Sequence, residues 1–456
     1  MSLTVFGYSD LEGVYDDPER VARLAGFLRE RRDDATLVVG AGDDTALGVA
    51  ATVSTHGDVD LPIPGGRAIA APFFEAVRPD AETFGNHDLD HGPDDARGLV
   101  ETVPARWTCV NLHDDGGLFG RDEGVERTRV VETAAGRVGL FGVTTERLPH
   151  IAPMASELTV DDPVATARET AADLRDRVDY VVGLSHCGGR DPAVAATADA
   201  DLVLGGHRHE QHAGTYDGTL LVRTGGSGVV ETVLPDATYA FHDGTDADPV
   251  PDLRAVYETV RDALGLDEVV AELDAPVPRD RATLTGGECR IGNFAADAFR
   301  AATGADVGVM HAGSLREGPS LEGAVTAGDV VSVSPFGTDL VTLRLPGRAL
   351  HDALAAAADR EDGRWFLHVS GCDLVWDHAT ATFHDLRIGG EPFDLDREYT
   401  LAIPEYFVVY DGLPTLTEAR VVSHHGLEYD RLVDHARNGG FAVGVEGRIT
   451  RVNQVD

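Results

Sequence analysis

The amino-acid sequence predicts a layered α/β protein with two domains. Short apolar runs rich in Val and Leu are bounded by Gly, as buried strands are, and helical patterns lie between them. A chain of 456 residues can bury two ordinary cores. We predict a first domain over residues 1–240, a connector over residues 241–268 and a second domain over residues 269–456.

Four predicted strands end in polar residues that can carry chemistry. The strands are Leu3–Tyr8, Thr36–Gly40, Asp179–Leu184 and Asp201–Leu204, and the residues that follow them or end them include Asp10, Glu12, Asp43, His186, His207 and His209. Open sheets of this class gather their ligands at the carboxyl ends of the strands. We therefore expect these side chains to lie close together.

Helices are predicted between the strands. Asp16 or Asp17 would cap the first of them, and another spans Pro163–Arg177. The segment Phe241–Pro251 is acidic, rich in turn residues and without periodicity, and a further helix begins at Asp252. Alternating strands and helices indicate a layered domain before this segment.

The segment Phe84–Gly92 carries the most informative motif of the chain. Asn86 offers an amide oxygen, which is a weak metal ligand. His87 can donate a proton or stabilise a developing negative charge near neutral pH. Asp90 follows three residues later and can fix the tautomer and the orientation of His87.

These residue types together predict a dinuclear metal site. Two divalent cations about 3.5–4 Å apart need a bridging oxygen and separate ligands, and they make hydroxide available from bound water at neutral pH. Asp43 is the natural bridge; Asp10 and His209 would complete one ion, and Asn86, His186 and His207 the other. Mixed nitrogen and oxygen ligands predict Mn, with Zn, Co, Fe or Mg as alternatives.

This set of motifs resembles the calcineurin-like metallophosphoesterase superfamily. Its form is closest to the 5′-nucleotidase branch, which includes UDP-sugar hydrolases and 2′,3′-cyclic phosphodiesterases, and the resemblance covers roughly residues 1–235. It implies an αββα catalytic domain with His87 and Asp90 as the catalytic pair. The metal ligands that it implies are Asp10, Asp43, Asn86, His186, His207 and His209.

The first motif departs from the family. It normally reads Asp-x-His, with both residues on one ion, whereas this chain has Asp10-Leu11-Glu12. As a ligand, Glu12 would give a harder and more negative set of donors that favours Mn or Mg over Zn. The alternative is that Glu12 points away and the first ion is held more weakly. We predict the ligand role.

The second half of the chain resembles, more loosely, the α+β substrate domain of the same 5′-nucleotidases. The matching stretches are Glu288–Phe299, His311–Arg316, Gly328–Gly337 and Val369–Gly371. By this resemblance Arg316 would hold the substrate, and Phe336 would be one of two aromatic rings that sandwich a base. The connector would be either a pivot between the domains or a plain linker.

The predicted substrate pocket also departs from the family. His311 replaces an asparagine, and Leu413 in the turn Tyr410–Leu413 stands where the second ring belongs. An expected arginine is missing, and Arg290 would substitute for it. Stacking contributes about 1–3 kcal/mol per base, so the loss of one ring weakens or redirects nucleoside recognition.

Three polar residues outside the motifs have simpler interpretations. His424 and His425 have no carboxylate nearby in the sequence, and we expect them in a surface loop. Asp44, next to the proposed bridge, would either steady a water molecule or cap the following turn.

Composition limits the partners and the environment. The formal net charge is −40, and every basic side chain other than histidine is arginine. Such an acidic surface predicts a protein that works at high salt, as in extreme halophiles, and it argues against binding a nucleic-acid polymer. The chain starts at a strand and has no stretch that would span a membrane. Its four cysteines are scattered, and we expect them to be buried thiols. These observations favour the cytoplasm.

The sequence therefore predicts a metal-dependent hydrolase of phosphate esters. The first hypothesis is a 5′-nucleotidase-like phosphomonoesterase that attacks a small nucleotide with metal-bound hydroxide. A phosphodiesterase acting on cyclic nucleotides or nucleotide sugars is the alternative of the same class. A metal-binding regulatory protein with weak turnover is the alternative of another class, and the complete pair His87 and Asp90 argues against it. The oligomeric state stays open.

Overall fold

The computed structural model describes residues 1–45, 48–56, 69–226, 228–358, 365–409 and 415–453. The chain divides into two compact units, Met1–Leu264 and Gly265–Asp456.

The described part of unit 1 alternates strands with helices along most of its length. The strands are β1 (Leu3–Tyr8), β2 (Thr36–Gly40), β3 (Leu112–Asp114), β4 (Gly117–Leu118), β5 (Arg129–Thr133), β6 (Gly136–Thr144), β7 (Thr159–Val160), β8 (Tyr180–His186), β9 (Leu202–Gly205), β10 (His212–Tyr216), β11 (Thr219–Arg223), β12 (Val229–Leu234) and β13 (Thr238–His242). The helices are α1 (Pro18–Glu30), α2 (Val49–His56), α3 (Ala71–Val77), α4 (Pro93–Thr102), α5 (Leu148–Ile151), α6 (Pro163–Arg175), α7 (Asp191–Thr197) and α8 (Pro251–Ala263).

Two sheets pack face to face in unit 1. The first has the order β13-β12-β1-β2, and the second has the order β10-β11-β9-β8-β6-β5. Strands β1 and β2 are parallel, as are β6, β8, β9 and β11. Val5 of the first sheet and Leu140 and Leu204 of the second belong to one buried cluster, so the core lies between the sheets.

Helices cover the outer faces of this sandwich. Helices α6 and α7 bury Ala171 and Val194 against Phe141 of the second sheet. Helix α1 packs on α3 and α8, and its Phe27 meets Phe6 of the first sheet with ring centroids 5.9 Å apart. The order helix, sheet, sheet, helix confirms the predicted fold class for this unit.

The start and end of unit 1 show how local signals fix elements. Asp17, rather than Asp16, caps α1, because its carboxylate accepts hydrogen bonds from the amides of residues 19 and 20. The segment Phe241–Pro251 is predicted to be irregular, but its first two residues belong to β13. Residues 229–233 of β12 pair with this strand. Tyr257 of α8 donates to the carbonyl of Ile69, which anchors this helix within unit 1.

The described part of unit 2 mixes strands and helices without regular alternation. The strands are β14 (Val269–Arg279), β15 (Val307–His311), β16 (Gly318–Thr326), β17 (Asp339–Pro346), β18 (Leu367–Ser370), β19 (Cys372–Asp377), β20 (Thr382–Ile388), β21 (Glu391–Pro392), β22 (Glu398–Pro404), β23 (Val421–Leu427) and β24 (Ile449–Val452). The helices are α9 (Arg281–Thr285), α10 (Arg290–Thr303), α11 (Ala327–Val331), α12 (Gly347–Ala358), α13 (Tyr406–Val409) and α14 (Glu428–Arg437).

Unit 2 is built on a five-stranded sheet with the order β18-β15-β22-β17-β23. Most strand pairs of this sheet are antiparallel. A second sheet of unit 2 has the order β21-β20-β19-β24. Trp365, Trp376 and Leu401 lie in its main buried cluster. This arrangement confirms the predicted α+β class. Within the described residues, each helix of the chain is too short or too polar to cross a lipid bilayer.

Candidate metal centre

Three residues of the predicted site hold their backbones in the left-handed region. They are Asp10 after β1 (φ 55°), Asp43 after β2 (φ 57°) and His207 after β9 (φ 69°). This conformation is strained for residues that carry a Cβ, and it persists only where the surroundings enforce it. Its recurrence at the ends of three strands marks this edge of unit 1 as a candidate functional site.

Asp43, His186 and His207 form the first cluster. Their ligand atoms lie within 4.8 Å of one another, and His186 Nε2 is 2.9 Å from Asp43 Oδ2. The other ring nitrogen of His186 lies 2.7 Å from the carbonyl oxygen of Ala41, which fixes the ring and turns Nε2 towards the cluster. Burial and the neighbouring His186 lower the pKa of His207 to about 4, so His207 stays neutral and can offer a lone pair.

Asp10, Glu12 and His209 form the second cluster. His209 Nε2 lies 3.5 Å from Asp10 Oδ1 and 3.5 Å from Glu12 Oε1. The amide of His207 donates to Asp10 Oδ1 at 2.9 Å, which ties this cluster to the first. Glu12 also lies 4.0 Å from His87 Nε2, so its carboxylate points into the site rather than away from it.

The donor atoms of both clusters fit divalent cations. Asp10 Oδ2 and Asn86 Oδ1 are buried and accept no hydrogen bond among the residues that the structure describes, and His186 Nε2 has only the Asp43 carboxylate at 2.9 Å. A buried polar atom without a partner costs about 1–3 kcal/mol, so several at one place need an explanation. A cation that these atoms coordinate would satisfy all of them, and the mixture of oxygen and nitrogen suits a transition metal.

The electrostatics of the site favour positive charge. Burial alone would lower the pKa of His186, but Asp43 and Asp10 outweigh it and raise that pKa to about 10. Hydrogen bonds that the His209 ring donates to Asp10 and Glu12 raise its pKa to about 10. Bound cations compete with these protons for the same donors.

His87 and Asp90 form the pair that the motif predicts. His87 Nδ1 lies 2.7 Å from Asp90 Oδ2, and the His87 amide donates to Asp43 Oδ1 at 2.7 Å. Burial opposes the charge on the ring, yet Asp90 and Asp43 raise the pKa of His87 to about 9. Asp90 therefore orients a protonated imidazole whose Nε2 faces the clusters.

Sequence analysis missed the role of Asp88. Its buried carboxylate accepts hydrogen bonds from the amides of Asp43 (2.9 Å), Asp44 (3.1 Å), Thr45 (3.1 Å) and Gly85 (2.7 Å), and from the Thr45 hydroxyl (2.6 Å). One side chain thus fastens the loop after β2 to the Gly-Asn-His segment. A carboxylate next to His87 was the available signal, but most of its donors lie more than forty residues away in the sequence.

Two further residues allow the loops to approach each other. A Cβ on Gly85 would lie 2.0 Å from Asp43 Oδ1, so only glycine fits between Phe84 and Asn86. Asp44 is fully buried and accepts from the amides of Leu11 (3.2 Å) and Gly42 (3.2 Å), which braces the loop after β1.

In unit 2, the structure brings Arg316 and Phe336 together. The Arg316 guanidinium lies 5.0 Å from the centroid of the Phe336 ring, and both residues are partly exposed. His311 is half-buried, and its ring lies 5.1 Å from Phe366 and 5.2 Å from Phe407.

Arg290 is engaged elsewhere in unit 2. Its guanidinium donates to the backbone carbonyls of Val443, Phe441 and Ala275. These bonds hold the chain after α14. The turn Tyr410–Leu413, where a second aromatic ring was sought, lies outside the described residues.

The loop prediction for His424 and His425 is wrong. Both residues lie in the edge strand β23. His424 Nδ1 is 3.3 Å from Asp339 Oδ2 and 3.8 Å from Glu405 Oε1, so carboxylates from neighbouring strands supply the partners that the local sequence lacks. Strand pairing, which joins distant segments, overrides the local polar pattern here.

Comparisons with known proteins agree with this architecture. Residues 269–418 match the family described as 5′-nucleotidase, C-terminal domain. An apyrase of Aedes albopictus is 26% identical over 428 residues, which cover 77% of this chain and 73% of the relative. Endonuclease YhcR of Bacillus subtilis is 22% identical over 457 residues; the match covers 90% of this chain but only 36% of that protein. The solved 5′-nucleotidase precursor of Thermus thermophilus has 20% identity, a TM-score of 0.77 and 100% coverage of both chains.

The chain has the two-domain fold of that solved 5′-nucleotidase precursor, as the sequence predicts. The chain carries a 5′-nucleotidase C-terminal domain, and its predicted resemblance to the 5′-nucleotidase branch is confirmed. The predicted enzyme class, a hydrolase of phosphate esters, is confirmed as well.

Asp88→Asn should weaken metal binding without unfolding the protein. The new amide group would face N–H donors of two loops, so Asp43 should shift. We expect the affinity for Mn²⁺ to fall roughly 10–100-fold, as it does when other supports of metal ligands are removed. Titration calorimetry measures this affinity, and circular dichroism checks the fold.

The matched control is Asp94→Asn, because the Asp94 side chain is 98% exposed. It should bind Mn²⁺ like the wild type. Wild-type affinity in Asp88→Asn would mean that the loops hold their positions without this carboxylate.

Proposed function

We propose that this protein is a 5′-nucleotidase-like phosphomonoesterase that releases phosphate from a small nucleotide. The observation that carries the proposal is the set of buried, unpartnered donor atoms beside the oriented pair His87 and Asp90. The names of an apyrase and of a 5′-nucleotidase precursor among the similar proteins support a nucleotide substrate.

We assign the metal ligands to both clusters and to the amide between them. The residues that would hold the ions are Asp10, Glu12, Asp43, Asn86, His186, His207 and His209. Two divalent cations, for which we propose Mn²⁺, supply the activation of the attacking water and the neutralisation of phosphoryl charge when they are bound.

His87 acts on the transferred group. Asp90 holds its Nδ1, so Nε2 carries the proton that faces the clusters. This proton can donate a hydrogen bond to a phosphoryl oxygen as charge develops, and it can then pass to the leaving oxygen. Asp90 stabilises the imidazolium before the transfer and keeps the ring oriented after it.

Unit 2 supplies recognition in this proposal. Arg316 would bind a negatively charged or carbonyl oxygen of the substrate, and Phe336 would stack on the base. His311, supported by two buried rings, would be a further polar contact. The bonds of Arg290 to backbone carbonyls leave it out of the proposed set.

The proposal is tested by phosphate release across nucleoside mono-, di- and cyclic phosphates, with Mn²⁺ in high salt. We expect a nucleoside monophosphate to be the best substrate, chelator to abolish release and Mn²⁺ to restore it. His87→Ala should lower turnover about 10²–10⁴-fold, because it removes a proton donor and not a metal ligand.

The bound metal of His87→Ala should equal that of the wild type by mass spectrometry. Full activity after metal removal would refute the mechanism. Faster release from cyclic nucleotides or nucleotide sugars would favour the phosphodiesterase instead.

Glu12 should set the metal preference of the cluster that contains Asp10 and His209. A carboxylate adds negative charge and favours harder cations, so the wild type should prefer Mn²⁺ over Zn²⁺. Glu12→His should shift the preference towards Zn²⁺ or Co²⁺. Glu12→Ala should lose this ion first and leave roughly one ion per chain, as counted by native mass spectrometry.

Glu12→Gln is the matched control, because it keeps the size of the side chain and removes its charge. It should keep less Mn²⁺ than the wild type. If Glu12→Ala retained two ions and wild-type turnover, Glu12 would not be a ligand.

The acidic surface supports a protein adapted to high salt. With a net charge of −40, repulsion between surface carboxylates should destabilise the fold when salt no longer screens it. We expect the melting temperature, followed by circular dichroism, to fall as NaCl decreases from molar to millimolar concentration. Sucrose at equal osmolarity is the control for a general solute effect, and a melting temperature independent of salt would contradict the prediction.

The predicted cytoplasmic location stays a prediction. Cys109, Cys187, Cys289 and Cys372 are buried free thiols, which supports a reducing compartment.

A further inference from the structure

A buried carboxyl group lies behind the loop that carries Phe336. Glu428, the first residue of α14, is 1% exposed, and its Oε1 accepts a hydrogen bond from the Ser334 hydroxyl at 2.9 Å. Its amide donates to the carbonyl of Thr338 at 3.0 Å. Glu428 therefore holds residues on both sides of Phe336 while the aromatic ring stays partly exposed.

The same contacts reach the segment that carries Arg316. The Ser334 hydroxyl is also 3.2 Å from the carbonyl of Ser314, and the Arg316 amide donates to the carbonyl of Val333 at 2.9 Å. Hydrogen bonds of Ser334 and Val333 thus join the loop that carries Phe336 to the segment that carries Arg316. The buried carboxyl group of Glu428 bonds to the same Ser334 hydroxyl.

We propose that Glu428 is a positioning residue for substrate recognition, which sets the distance between Arg316 and Phe336 without touching the substrate. The inference rests on the proposed roles of Arg316 and Phe336. The Arg279 guanidinium also donates to the carbonyls of Pro319 and Ser332, but these residues lie further from the pair. The contacts of Glu428 are made to residues only two positions from Phe336 on either side.

The chemistry of the site suits a neutral acid. Burial raises the pKa of Glu428 to about 8, although the hydroxyls of Ser334 and Thr338 oppose the rise. A neutral carboxyl group keeps an acceptor oxygen for Ser334 and avoids a buried charge. Glutamine has the same shape and the same acceptor, and it should therefore replace Glu428 at neutral pH.

The experiment compares Glu428→Ala, Glu428→Gln and Ser334→Ala with the wild type on two substrates. AMP needs recognition of its nucleoside, whereas 4-nitrophenyl phosphate presents the phosphate with a small aryl group. We expect Glu428→Ala and Ser334→Ala to raise KM for AMP roughly tenfold, the effect of losing a buried hydrogen bond. Their kcat for both substrates and KM for 4-nitrophenyl phosphate should stay within about twofold, and Glu428→Gln should restore KM for AMP.

Asp430→Asn is the matched control, since Asp430 lies in the same helix with its side chain half exposed. It should behave like the wild type. An equal rise of KM for both substrates, or a wild-type KM for AMP in Ser334→Ala and Glu428→Ala, would overturn the proposal. If Glu428→Ala does not fold, the KM of Ser334→Ala for AMP alone tests the proposal.

Direct binding separates this inference from the proposed function. The dissociation constant of AMP, measured by calorimetry, should rise in Glu428→Ala and Ser334→Ala as KM does. A wild type that binds AMP but cleaves no phosphate ester would refute the proposed function, and the dissociation constants would still test Glu428. A wild type that cleaves 4-nitrophenyl phosphate but does not bind AMP would overturn both.

Discussion

Burial of carboxylates at one end of the β-sandwich is the constraint on which the site depends. Asp10, Asp43, Asp44, Glu82 and Asp88 are all buried there. A buried carboxylate is costly unless hydrogen bonds or opposite charges compensate it. Backbone amides donate to Asp44 and Asp88, and the Tyr8 hydroxyl donates to Glu82. The bonds to Asp44 and Asp88 also brace the loops that carry Asp10 and Asp43. The remaining negative charge faces histidines and is the reason that the site favours cations.

Sequence patterns predicted most of this site because its parts are local. The strands that carry Asp10, Asp43 and His186 are short apolar runs, and the polar residues at their ends are readable without tertiary contacts. The pair His87 and Asp90 lies within one turn. The support from Asp88 could not be predicted in this way, because its donors come from a loop more than forty residues away as well as from its own segment. The position of His424 in a strand was not predicted either, because the segment becomes a strand by pairing with β17, which is distant in sequence.

The net charge of the chain makes local positive charge decisive for a phosphate ligand. At −40, the average field of the protein repels anions. Attraction must therefore come from a few fixed groups, such as His87, whose pKa Asp90 and Asp43 raise to about 9, and Arg316 in unit 2. High salt would weaken the general repulsion while leaving these short-range contacts largely intact. An acidic surface and an anionic substrate are thus compatible only if recognition is concentrated in such sites.

Two departures from the resembling family, Glu12 and His311, lie where solvent reaches the two sites. Glu12 and its neighbour His209 have side chains that are 18% and 52% exposed, whereas Asp43 and His186 are at most 2% exposed. His311, which stands where the resembling family has asparagine, is likewise half-buried. A buried ligand is fixed by packing and by several hydrogen bonds at once, so changing it disturbs the loops that hold the others. A partly exposed donor can change its charge or length while water accommodates the difference. A change at Glu12 or His311 can therefore alter the polar groups of a site without disturbing the buried carboxylates that hold the loops.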